Sequence, residues 1–155
     1  MWANMEITPS LKRLSPRELQ SNFHAQLEGK EKGVFLINFR ISNIFMGFAQ
    51  LYVNLLRYGY SNETVVWDGF YPHHTTHGLE GRGIGTLSVI SSLDKILESG
   101  HASLNHKVFH SPKLTQKYRE FLDRPGLNRE GLSLKDYYNL AVQYANLKGF
   151  CFTKK

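Results

Sequence analysis

The sequence predicts a single α/β domain of the α+β type, spanning residues 1–155, in which antiparallel strands and amphipathic helices share one core. Three observations carry this expectation. Residues 33–55 hold two β-rich runs, "GVFLINFRIS" and "NIFMGFAQLYVNL", with a short break at Ser42 and Asn43, as paired antiparallel strands would have. Residues 64–98 pass from a third β-rich run, through a polar glycine-rich loop, into apolar positions at helical spacing. Two more helix starts are written as capping signals, at Ser15 and at Ser133.

Composition agrees with a packed domain. Hydrophobic residues make up 41% of the 155 and aromatics 13%, which is globular rather than disordered. The single cysteine, Cys151, excludes an internal disulfide framework and any cysteine-cluster metal site, and it suits a reducing, cytoplasmic compartment. No apolar run approaches the roughly 18 residues of a spanning helix, and the first residues lack the basic-then-apolar order of a secretory signal. The net charge of +6 is dispersed, with no basic run longer than two residues. Such a field suits a polyanionic small ligand, and no dedicated nucleic-acid patch is written in it.

The elements follow in order. "SPREL" sets Ser15 as N-cap, Pro16 at the first helical position and Glu18 at the third; Leu19, Phe23 and Leu27 at spacings of four extend the predicted helix over 16–28, with Gly29 as its stop. After the two strands of 33–55, "RYGYSNE" marks a turn, and "TVVWDGFY" reads as a strand ended by Pro72. "PHHTTHGLEG" is a polar loop. From Gly85 onward Leu87, Ile90, Leu93, Ile96 and Leu97 mark an apolar helix face closed by Gly100. "HASLNHKVFH" predicts a short strand, "SPKLTQKYREFL" a helix, "SLKDYYNLAVQYANL" a helix, and "GFCFTK" a last strand.

Within "HGLEGRGIGTLSV", Gly81, Gly83 and Gly85 lead straight into that helix. Glycines at a strand-to-helix turn let backbone N–H groups face outward, and the helix start adds partial positive charge, so phosphate or pyrophosphate is the natural ligand. The competing reading is a tight turn that only permits close packing. A Walker loop is excluded because "TLS" follows Gly85 where a Lys and a hydroxyl residue are needed, and a dinucleotide fingerprint does not suit antiparallel strands upstream.

These motifs resemble the GNAT superfamily of acyl-CoA-dependent N-acyltransferases. "EGRGIGT" is similar to the family's R/Q-x-x-G-x-G/A loop, with Gly83 and Gly85 on its glycines and Glu80 at its first position. "GFAQLY" (Gly47 to Tyr52) resembles the family's third strand, and "WDGFY" (Trp67 to Tyr71) the stretch before the loop. The resemblance covers residues 47 to 97. It implies a mixed, mostly antiparallel central sheet flanked by helices and splayed at the acyl-CoA site. It also implies acetyl-CoA, or another acyl-CoA, as cosubstrate, with Gly81, Arg82, Gly83, Ile84, Gly85 and Thr86 around the pyrophosphate.

Direct acyl transfer to an amine needs a base for the amine's proton and a donor for the leaving thiolate. By the resemblance, the donor is a tyrosine: Tyr118 in "SPKLTQKY", with Tyr144 in "YANLKGF" as its rival. Asp68 is the first base candidate, with Glu63, His73, His74 and His77 as alternatives. "HHTTH" sets two imidazoles four apart, but Pro72 and the paired threonines oppose the helix that this spacing requires, so no metal is expected. The leading expectation is an N-acetyltransferase acting on an amine of unspecified type. The alternative is a non-catalytic module that binds CoA, nucleic acid or an acidic protein. No membrane partner is expected, nucleic acid is disfavoured, and a homodimer is left open.

Overall fold

The computed structural model describes residues 11–29, 33–54, 63–110 and 131–155. Helix α1 (Pro16–Asn22) leads into strands β1 (Phe23–Gly29), β2 (Val34–Ile41), β3 (Ile44–Val53) and β4 (Thr64–Pro72). A 3₁₀ turn (His74–Thr76) precedes helix α2 (Ile84–Glu98), strand β5 (Lys107–His110) and helix α3 (Leu134–Leu147). The sheet has five strands in the order β1-β2-β3-β4-β5. β1 to β4 are antiparallel neighbours and β5 joins β4 in parallel, so the fold is the expected mixed, mostly antiparallel sheet with flanking helices.

The capping box is formed: Glu18 N donates to Ser15 Oγ at 3.2 Å and Ser15 N to Glu18 Oε1 at 2.9 Å. The predicted helix over 16–28 is nevertheless too long, because Phe23–Gly29 is strand β1, paired with β2 from Phe23↔Ile41 to Gly29↔Phe35. Leu19, Phe23 and Leu27 stand four apart, and four is a multiple of the strand period as well as close to a helical turn. Phe23, Ala25 and Leu27 are the partly covered positions of an alternating pattern, and only the unpaired edge of β2 decides between the two.

α2 and α3 pack on each other over one face of the sheet. Leu87, Ile90, Leu93 and Ile96 of α2 and Tyr137, Ala141, Val142 and Ala145 of α3 join Ile37, Phe39, Leu51, Val65 and Trp67 in the main core. The opposite face carries one cross-strand row of Val34, Tyr52 and Val66, with Phe109 packed against it. At the end of β3, buried His106 accepts from Ser103 N at Nδ1 (3.0 Å) and lies 3.1 Å from Asn54 Oδ1 through Nε2, tying β3 to the start of β5.

The predicted last strand is absent: residues 150–155 have no regular structure. Their backbone is instead held by three side-chain amides, each donating and accepting. Gln20 grips Cys151 (2.9 and 2.7 Å), Asn146 grips Phe152 (3.0 and 2.9 Å) and Asn139 grips Lys155 (3.1 and 2.9 Å). An amide side chain offers the same donor and acceptor as a neighbouring strand, so the extended tail satisfies its backbone without joining the sheet. Lys155 Nζ also lies 3.1 Å from Asp94 Oδ1. Among the described residues no helix is long and apolar enough to cross a membrane.

Candidate functional site

β4 is irregular where the site begins. Its register with β3 runs Leu51↔Trp67 and then Gln50↔Gly69, so Asp68 has no counterpart on β3. Such a bulge puts two successive residues against one and re-aims the local side chains. The pairing of β4 with β5 among the described residues ends at Trp67↔His110, and β4 goes on to Pro72 alongside β3. Asp68 is 6% exposed; its Oδ2 accepts from Tyr71 Oη at 3.0 Å, and its Oδ1 is buried with no hydrogen-bond partner. The Tyr71 ring stacks on Phe48 across the strands, centroids 5.0 Å apart.

After β4 the chain is not a loose loop. The His73 ring stands 3.9 Å from that of His74 and 5.2 Å from that of Phe45, edge to face in the second case. Thr75 is buried and its hydroxyl donates to Phe45 O, which fastens the 3₁₀ turn to β3. His77 Nδ1 lies 3.4 Å from Glu80 Oε1 at the surface. Among the described residues no group of three or more His, Cys, Asp or Glu side chains could hold a metal ion.

The glycine loop delivers the start of α2. Gly83 is its N-cap, left-handed at φ 90°, and no side chain caps the helix. The first amides of a helix have no intrahelical acceptor and carry the positive end of its dipole. The amides of Ile84, Gly85 and Thr86 therefore have no acceptor within the helix. Thr86 lies in that first turn, is fully buried, and its Oγ1 has no hydrogen-bond partner. Gly81 is also left-handed at φ 77°, with open space where a β-carbon would stand.

Arg82 faces elsewhere. Its Nη1 donates to Lys12 O at 2.6 Å and its Nη2 to Leu14 O, so the guanidinium ties the segment before α1 to the glycine loop. Of the tyrosines, Tyr118 lies outside the described residues. Tyr144 is partly buried on α3, with Lys148 Nζ 5.2 Å from its ring centroid. Glu63 stands just before β4 with a left-handed backbone (φ 62°), at the opposite end of that strand from the 3₁₀ turn.

Sequence reasoning missed two groups at this end of the sheet. Tyr71 reaches Asp68 only because of the bulge, since residues three apart on a regular strand face opposite sides. His110, the last residue of β5, lies 3.1 Å through Nε2 from Tyr137 Oη; no spacing links those two residues, which come from a strand and a helix. No family model, curated protein or solved structure significantly matches this chain.

Proposed function

We propose that this protein is an acyl-CoA-dependent N-acyltransferase that passes an acetyl or other acyl group directly to a primary amine, in a cytoplasmic setting. One observation carries the reading: an uncapped helix start with a buried, unpartnered threonine hydroxyl follows, across the connection of residues 73–83, a strand that bulges at a buried carboxylate. The amides of Ile84, Gly85 and Thr86 and the Thr86 hydroxyl fit a pyrophosphate, a group that supplies only acceptors. Charge there comes from the helix dipole and the +6 field rather than from Arg82.

Bound acyl-CoA would supply the acyl group as a thioester. Asp68 stands where β4 leaves its register and takes the proton that the amine loses. The nitrogen bonds to the acyl carbon as the carbon–sulfur bond breaks. A proton returned to the sulfur balances the reaction, with Tyr118 or Tyr144 as its donor. Backbone N–H groups at the bulge would polarise the carbonyl as the bond forms.

The test is thermal stability with and without acetyl-CoA, for the wild type and for Gly85→Asp. An acidic residue in the first helical turn interacts favourably with the dipole, so the unliganded variant should be at least as stable as the wild type. At about 100 times the dissociation constant the ligand should add roughly 2.7 kcal/mol to the wild type and nothing to the variant. No shift in the wild type at millimolar ligand would end this reading. A shift without turnover on any amine would favour the non-catalytic CoA binder, to which Glu80 at the first motif position also points.

A further inference from the structure

The second half of β4 contains a carboxylate with an unmet need. Asp68 and Tyr71 flank Gly69 and Phe70; Gly69 stands opposite Gln50 and Tyr71 opposite Phe48, whereas Phe70 pairs with Ala49 of the main core and meets Phe39 edge to face. Gly69, between Asp68 and Tyr71 in the chain, carries no side chain. One carboxylate oxygen is held by Tyr71 Oη and the other is buried without a partner. A buried oxygen of that kind carries a desolvation cost, which a donor arriving with a ligand would relieve.

Next to it lies an aromatic shelf. The Phe48 and Tyr71 rings stack at 5.0 Å and 25°, and Tyr71 keeps 43% of its surface exposed. An ammonium brought to Asp68 Oδ1 would find a charge-assisted acceptor, and the carbon body behind it would rest on a flat apolar surface. The pairing of a single carboxylate with two rings selects one positive charge with an apolar body. The net charge of +6 opposes acceptors that bring several positive charges, such as polyamines and lysine-rich segments.

We infer that Asp68, Tyr71 and Phe48 form the acceptor subsite of this protein, and that it takes primary monoamines with an aromatic or similarly apolar body. Its assignment to the acceptor rests on the acyltransferase reading, whereas binding of the amine does not. The subsite lies beside the point where β4 passes its last described partner on β5, the place that reading gives to the acyl group.

The experiment measures binding by NMR titration of the whole chain, with and without unacylated coenzyme A, using three probes. These are 2-phenylethylamine, its neutral counterpart 2-phenylethanol, and spermidine. The amine should bind about tenfold more tightly than the alcohol, the size expected for a hydrogen bond to a charged group, and more tightly than spermidine. Asp68→Asn should abolish the preference for the amine over the alcohol. Phe48→Ala, which leaves the hydrogen bond from Tyr71 to Asp68 in place, should weaken the amine about two- to fivefold through loss of a ring.

Equal binding of amine and alcohol to the wild type would overturn the inference without any variant, and so would tighter binding of spermidine. An unchanged preference in folded Asp68→Asn would overturn it as well. Amine binding in a protein that gives no acetyl-CoA shift would leave the subsite standing and remove the acyltransferase reading. An acetyl-CoA shift with no amine preference would do the reverse.

Discussion

The ring of Phe150 lies against Gly83: a β-carbon built on that glycine would come within 2.5 Å of Phe150 Cε2 and 2.8 Å of Cζ. The tail that follows α3 thus packs on the residue that starts α2, and the amide grips of Gln20 and Asn146 hold it there. Gly83 is required twice, by its left-handed backbone and by this contact. Gly83→Ala should cost about 2 kcal/mol or more, since a strained backbone and overpacking each cost about 1–3 kcal/mol. Adding Phe150→Leu should recover the packing part alone. Chemical denaturation of the two single variants and the double variant gives the coupling, and strict additivity would argue against this contact.

Thr86 separates a structural from a ligand-binding role. In Thr86→Val a buried hydroxyl with no partner becomes a methyl group of similar shape. The unliganded protein should therefore gain about 1 kcal/mol. If the hydroxyl serves the pyrophosphate, the same variant should show a smaller acetyl-CoA shift. Calorimetry of both forms reads the two effects separately, and a variant that is less stable without ligand would mean that the hydroxyl already has a structural role.

Arg82 should matter for stability more than for ligand affinity. Arg82→Ala removes donors to the carbonyls of Lys12 and Leu14, and the expected loss is about 1–3 kcal/mol for hydrogen bonds from a charged group. Amide exchange should rise at residues 12–15 in particular. Lysine should rescue poorly, because a single ammonium cannot match the fork that reaches both carbonyls. A large fall in acetyl-CoA affinity with little change in stability would reverse this assignment.

His106 predicts a pH dependence. Burial pushes its pKa below the ordinary histidine value, and nearby Glu63 opposes the shift. The unfolded chain therefore binds the proton more readily than the native one. The contribution of His106 is complete above about pH 6.5 and is lost as pH falls through its lower native value. Denaturation midpoints at pH 7.5 and 5.5 should fall less between the two conditions in His106→Gln than in the wild type. An equal fall would mean that His106 does not carry the dependence.

The sequence by itself determined the elements whose signals are local. Ser15 with Glu18 and Ser133 with Asp136 cap helices where their spacing says they should, and the β-rich runs that form β2, β3 and β4 fall in the expected stretches. Gly81 and Gly83 take left-handed conformations as a strand-to-helix turn demands. Tertiary structure decided what local chemistry leaves equivocal. Phe23–Gly29 carries a spacing of four that serves helix and strand alike, and the open edge of β2 made it a strand. The tail found amide side chains from α1 and α3 before it found a strand partner. Arg82 points at the segment before α1, some seventy residues back along the chain, and Tyr71 meets Asp68 only through a bulge in the register. The physical reason is common to these cases: caps and periodicity are settled within a few residues, whereas registers and long side-chain bonds depend on partners that no short stretch of sequence contains.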